Sequence, residues 1–287
     1  MKWIAVSGLK LTALIMTAAL MITGCGGIGA GSDDSLKEIK EKGVLILGCD
    51  DAFPPMGFRN EAGDIVGFDI DLAGAVAEKL GVTLEPKPII WENKELELII
   101  GNIDVIWNGY SILPDRNEQV EFSKPYLNNE QVIVVSANSS INSLDDLAGK
   151  IVGCQSSSAA EDVLQKDTPF NASLAEIKKY NDYQTALLDL QISDRVDAIV
   201  GDKVLIEYEM TQMPGVFRIL DESLAIEYYG IGCRQGSVNL RKAIDKALDE
   251  LYDDGTVDRI STKWFGSNIV IRDVAKLTQD QINELEE

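Results

Sequence analysis

The stretch Ile103-Asp104-Val105-Ile106-Trp107-Asn108-Gly109-Tyr110-Ser111-Ile112-Leu113-Pro114-Asp115-Arg116 decides the architecture. Its first five residues form a short apolar run, the pattern of a buried strand. The run stops abruptly in an amide, a glycine and two hydroxyls, and a lone arginine follows a proline. Polar and charged groups at the point where a buried strand stops either form an ordinary surface loop or build one wall of a ligand site. The ends of the other strands decide between these.

Apolar runs of strand length recur at Val44–Leu47, Val82–Pro88, Val132–Val135, Ile151–Cys154 and Ala198–Val200. Between them lie segments with helical spacing: Phe68–Leu80, Asn93–Ile100, Ser158–Gln165, Tyr183–Leu190 and Asp202–Met210. Asp69 and Asp71 sit in the first turn of the first of these, where the helix dipole favours negative charge. Such alternation predicts an α/β protein with mainly parallel sheets flanked by helices, and two such series predict two lobes. Ligands of open parallel sheets sit beyond the carboxyl ends of the strands. Asp50–Phe53, Asn108–Ser111, Gln155–Ala159 and Gly201-Asp202 are far apart in sequence, yet all hold that position.

The chemistry of these clusters is complementary. Arg116 offers a planar fork of donors suited to a carboxylate. Ser158 and Ala159 open a helix, whose free N–H groups favour an anion; Ser158 serves equally as a simple N-cap. Asp202 offers an acceptor for an ammonium, or a helix cap. Carboxylate-binding and ammonium-binding groups together match a zwitterion, that is, a free amino acid. Asp50 adds a second negative charge, and Phe53, Trp107 and Tyr110 add apolar walls.

Composition narrows the function classes. A chain of 287 residues has room for one large domain or two modest ones, and 45% hydrophobic residues is enough for a core. The net charge of −21 argues against a nucleic-acid partner. There is no histidine, which removes Ser-His-Asp catalysis and histidine-ligated metals. Cys49, Cys154 and Cys233 sit in or beside apolar runs without metal-like spacing, and read as buried thiols, one disulfide being also compatible with export. No metal and no cofactor are expected.

The first residues read as a targeting segment. Lys2 and Lys10 precede the apolar run Leu11–Ile22, which is short for a membrane span and ends in small residues. Residues 1–24 are therefore expected to be a signal peptide and 25–35 a flexible tether. Ile22-Thr23-Gly24-Cys25 resembles the lipobox of bacterial lipoproteins. The resemblance implies lipidation of Cys25, cleavage before it, and anchorage at the outer face of the bacterial cytoplasmic membrane.

Gly67-Phe68-Asp69-Ile70-Asp71-Leu72-Ala73 is similar to the signature of family 3 bacterial extracellular solute-binding proteins, the amino-acid receptors of ATP-binding-cassette importers. The likeness runs from about Leu36 to Gly266. It includes Asp50-Asp51-Ala52-Phe53-Pro54-Pro55-Met56, Phe122-Ser123-Lys124-Pro125-Tyr126, Gly149-Lys150-Ile151-Val152-Gly153 and Lys263-Trp264-Phe265-Gly266. It implies a two-lobed type II periplasmic-binding fold joined by two hinge strands, with crossings near Leu127–Gln131 and Leu224–Tyr228. Lobe 1 is expected over 36–128 and 227–272, lobe 2 over 129–226, and a C-terminal helical extension over 273–287, with Ile282 and Leu285 on one face. The resemblance implies that Arg116 clamps the α-carboxylate, helped by main-chain N–H groups of Ser111 and Ala159. Asp202 binds the α-ammonium with Ser111 and the Gly109 carbonyl. Asp50 meets the substrate side chain, Phe53 stacks over it, and Phe53 and Trp107 are expected to sandwich a planar cation. Two departures, Asn108-Gly109 in place of a hydroxyl pair and Ala159 in place of threonine, leave the side-chain preference open. The implied function is a non-enzymatic, monomeric receptor for a polar, by preference basic, amino acid, working with permease and ATPase subunits. A separate signalling partner or a dehydratase-like activity on the same fold are the alternatives.

Overall fold

The computed structural model describes residues 33–166, 168–192, 195–272 and 274–284. The expected signal peptide, Cys25 and most of the tether lie outside the described residues, as does Leu285. Ser35, expected to close the tether, instead opens the helix Ser35–Lys42.

The strands, in chain order, are β1 (Val44–Cys49), β2 (Ala52–Phe53), β3 (Gly57–Arg59), β4 (Ile65–Val66), β5 (Thr83–Pro88), β6 (Val105–Ile106) and β7 (Val120–Phe122). They continue with β8 (Leu127–Ser136), β9 (Ile151–Gln155), β10 (Glu176–Tyr180), β11 (Ala198–Asp202), β12 (Phe217–Tyr229) and β13 (Gly232–Arg234). They form two five-stranded sheets, ordered β5-β1-β6-β13-β7 and β10-β9-β11-β8-β12, and a small ribbon β2-β3-β4. In each large sheet four strands share a direction and one, β13 or β8, runs against them. Parallel neighbours need crossover helices, and the amphipathic segments supply them.

Both faces of each sheet are covered, which explains the nearly continuous apolar runs. On β1, Leu45, Leu47 and Cys49 are fully buried with Phe68, Leu72, Ala73 and Val76 of the helix Phe68–Leu80. That helix ends on Gly81, whose φ of 78° is the left-handed cap conformation glycine adopts without strain. On β8 the two-residue period of a strand divides the side chains. Val132 and Val134 join the cluster of Tyr183, Leu187 and Leu190, whereas Ile133 and Val135 join Ala160 and Leu164 on the other face. Cys49, Cys154 and Cys233 are buried and unpaired. Burial pushes the thiols of Cys49 and Cys154 up to about 12.

The chain leaves the first sheet along β8 and returns along β12. The two strands pair antiparallel from Leu127↔Tyr229 to Gln131↔Ala225. These paired segments are where the sequence places the crossings. Beyond them, the helices Val238–Asp253 and Thr256–Phe265 pack back onto Phe68–Leu80. The short helix Gln279–Glu284 follows, and its Ile282 is buried with Trp91, Tyr110, Ile112 and Phe122. No helix among the described residues is long and apolar enough to cross a membrane.

Candidate functional site

A small cavity lies between the two sheets, at the ends of β1, β6, β9 and β11. It is lined by Asp50, Phe53, Trp91, Asn108, Gly109, Ser111, Arg116, Gln155, Ser158, Ala159 and Asp202. Nine of the ten binding residues expected from the sequence therefore meet in one place. About 10 Å³ is open to the centre of a water-sized sphere, room for roughly one water molecule. A whole amino acid enters only when the walls move apart.

Trp107 is the exception and needs correcting. Its side chain is fully buried with Val105, Phe68 and Tyr126, its ring centroid 6.3 Å from that of Tyr126. Strand alternation is the reason: residues 105 and 107 face the helix Phe68–Leu80, whereas Ile106 joins the cluster of Trp91 and Tyr110 on the opposite side. The aromatic ring that does line the cavity with Phe53 is Trp91, which the sequence reading missed. Trp91 stands three residues beyond β5. The strand-end rule that singled out four clusters points to it as well.

The first sheet places Arg116 on the short helix Pro114–Gln119, whose proline at the first position fits the start of a helix. The guanidinium is buried and lies 5.0 Å from the Tyr110 ring centroid. Arg116 Nη1 donates to the Ser111 carbonyl at 3.2 Å. Arg116 Nη2 donates to the Ser157 carbonyl at 3.2 Å and to Asp162 Oδ2 at 3.4 Å, both across the cleft. Among the described residues these are three hydrogen bonds to a side chain that has five N–H donors. Beside it Lys94 is also buried, its Nζ donating to the Ser157 carbonyl at 2.8 Å and lying 5.0 Å from the Trp91 centroid. Burial, and then the charge of Arg116, push Lys94 down to about 8.

Asn108 and Gly109 form the corner of the cavity. Asn108 Oδ1 accepts the Asp50 N–H at 3.0 Å. Gly109 has φ 58°, and a Cβ there would stand 2.9 Å from the Phe53 ring, so only glycine fits. Its N–H donates to Asp69 Oδ2 at 2.8 Å, and the Tyr126 hydroxyl donates to the same oxygen at 3.0 Å. Asp69, which the sequence places in the first turn of its helix, is thus a buried support for the cavity wall. Burial pushes its carboxyl up to about 7.

Asp50 reaches across the cleft, accepting from Gln155 Nε2 at 2.6 Å. Burial pushes its carboxyl up to about 6, against the lowering effect of that hydrogen bond. Ser158 caps the helix Ala159–Gln165: its Oγ accepts from the Glu161 N–H and donates to the Gln155 carbonyl. That hydroxyl is committed to the fold, while the backbone at the helix start borders the cavity. Asp202 makes no side-chain cap. Its Oδ1 accepts from Tyr229 Oη at 2.6 Å, Asn129 Nδ2 at 2.9 Å and Gln131 Nε2 at 3.1 Å. Burial first, and then the neighbouring Glu227, push this carboxyl well above the ordinary range.

Comparison with known proteins follows this geometry. Residues 45–267 match the bacterial extracellular solute-binding proteins, family 3. The L-cystine-binding protein TcyJ of Escherichia coli (strain K12) is 29% identical over 254 residues, covering 88% of this chain and 94% of its own. A substrate-binding protein of an ABC uptake transporter from Streptococcus pneumoniae, solved with bound histidine, is 35% identical. It superposes with a TM-score of 0.78 over 85% of this chain and 100% of its own. An ancestral amino acid-binding protein, AncCDT-1, described as a precursor of cyclohexadienyl dehydratase, is 30% identical with a TM-score of 0.74, over 80% and 99% of the two chains. With the family match spanning most of its length, this chain belongs to the bacterial extracellular solute-binding proteins of family 3.

Proposed function

We propose that the protein is an extracytoplasmic receptor that encloses one free polar L-amino acid, by preference a basic one, between its two lobes. The observation that carries this is one cavity lined by both a buried guanidinium, Arg116, and a buried carboxyl, Asp202, one on each side of the cleft. Arg116 and the backbone N–H groups of Ser111 and Ala159 take the α-carboxylate. Asp202 takes the α-ammonium, with Ser111 and the Gly109 carbonyl. Phe53 and Trp91 hold the side chain between their rings, and Asp50 with Gln155 meets its far end. The zwitterion bridges groups from both lobes, so it favours the closed state over the open one.

On this reading the ligand is bound and passed on unchanged. The closed form is what the permease and ATPase subunits of an importer receive. Lipidated Cys25 holds the monomeric receptor at the outer face of the cytoplasmic membrane, and no nucleic acid takes part.

The test is a thermal-shift screen of residues 33–287, freed of co-purified ligand by mild unfolding and refolding, against the standard amino acids, ornithine and cystine. One or a few amino acids should raise Tm strongly, and the ligand recovered afterwards should be unaltered. A flat response across the panel would overturn the receptor reading, and an altered ligand would turn it toward the dehydratase-like alternative.

A further inference from the structure

Beside the ammonium end of the cavity stands a second buried carboxyl, Glu227, that the proposed binding mode does not use. Asp202 and Glu227 are 4% and 3% exposed. Strand register brings them together: Asp202 on β11 pairs with Gln131 on β8, and Asn129 on β8 pairs with Glu227 on β12. Asn129 and Gln131 are alternate residues of one strand and so share a face. Each amide donates to both carboxyls. Asn129 Nδ2 reaches Asp202 Oδ1 at 2.9 Å and Glu227 Oε1 at 2.5 Å; Gln131 Nε2 reaches the same two atoms at 3.1 and 2.8 Å. Tyr229 Oη adds a bond to Asp202. Among the described residues no lysine or arginine forms an ion pair with either carboxyl. Gln131 is fully buried, and its Oε1 has no hydrogen-bond partner.

Two carboxylates buried together without a cation are costly, and such pairs keep a proton between them. Burial, the charge of Glu227 and a hydrogen bond between the two carboxyls all act on Asp202 in that direction. Tyr183 and Tyr229 are further titratable groups beside the pair. Arg116 and Asp50 stand across the cavity, and Asp162 and Lys166 share the space on the far side of Glu227. Lys203, next to Asp202 in sequence, is paired with Glu130 at 3.0 Å.

We infer that Glu227 is a positioning residue of the ammonium end: its carboxyl, held beside Asp202 by Asn129 and Gln131, keeps a proton on Asp202, and the entering ammonium displaces that proton. The inference rests on the amino-acid reading for the displacement and on the structure alone for the proton on Asp202. Binding then releases a proton to solvent, and affinity rises with pH, up to tenfold per unit, until Asp202 ionises unaided.

Two arms separate the claims. The first uses ligand-free protein and Glu227→Gln, with Asp202→Asn as the second variant should the first not fold. Urea unfolding is measured from pH 5 to 8. Wild type holds a proton that its unfolded chain has lost, so the folding constant of the variant gains on wild type by up to tenfold per pH unit. A ratio that stays constant with pH overturns the proton held on Asp202. The second arm is calorimetry at pH 7 in phosphate and in Tris, with whichever of L-arginine, L-glutamine, L-histidine and L-cystine shifts Tm most, its own titration subtracted. Wild type should release close to one proton per amino acid, and Glu227→Gln close to none. Equal release by the two proteins overturns the displacement. Lys94 and Asp50 add little at this pH and act equally in both proteins. If the first arm succeeds and no amino acid binds, the receptor reading fails and the displacement falls with it.

Discussion

At the residue scale, the cavity depends on a few side chains whose free energies are separable. The Arg116 guanidinium lines the cavity, and hydrogen bonds between charged groups are the strong ones. Arg116→Ala should weaken amino-acid binding by about 3 kcal/mol or more, over a hundredfold in Kd, as read by calorimetry. Its melting curve should stay close to wild type, and normal binding by this variant would refute the clamp. Trp91→Ala should weaken binding about tenfold, whereas Trp107→Ala should act on stability, costing about 3–5 kcal/mol in urea unfolding. Asp50 carries a pH signature. Its folded carboxyl holds its proton more tightly than the unfolded chain does, its pKa rising from 3.8 to about 6. The group's contribution to stability is therefore fullest below about pH 4 and is lost as pH rises through about 6. Asp50→Asn should flatten that part of the stability curve, as followed by thermal melts from pH 3.5 to 7.

At the element scale, the cavity belongs to the ends of strands rather than to any one segment. β1, β6, β9 and β11 each deliver their next residues to it, and β5 delivers Trp91 after a short excursion. The helix Gln279–Glu284 belongs to the same neighbourhood. Ile282 is buried in the cluster under Trp91 and Tyr110, and it also borders Leu113 of the first lobe and Ala159 and Val163 of the second. Burying one such side chain is worth a few kcal/mol, so Ile282→Ala should cost about 2–4 kcal/mol of stability in urea unfolding. A loss under 0.5 kcal/mol would mean that this helix is only loosely docked.

At the scale of the whole molecule, a few hydrogen bonds join the lobes. Asp50–Gln155, Lys94 with the Ser157 carbonyl, and Arg116 with the Ser157 carbonyl and Asp162 join the walls of the cleft. Phe53 with Tyr183 and Phe58 with Tyr208 add two ring contacts, at 5.9 and 5.8 Å. Adding the amino acid that raises Tm should lower the radius of gyration seen by small-angle X-ray scattering. An unchanged radius would argue against closure about the β8–β12 hinge.

What the sequence by itself determined is the alternation of strands and helices and the positions where the strands end. Both are local properties: periodicity sets the element, and the abrupt change from apolar to polar residues marks its end. From these the α/β lobes and nine of the cavity residues were legible, Arg116 and Asp202 among them. Only the tertiary structure decided which way side chains point and which distant strands lie side by side. Trp107 turns into the core because of the pleat of one short strand, and Trp91 takes the place expected of it. Asp69 looks like a helix-cap acid in sequence, yet it holds Gly109 from beneath. Glu227 carries no local mark at all. Its meaning comes from a register between β8, β11 and β12 that unites residues up to 98 positions apart, and no window of sequence contains that register.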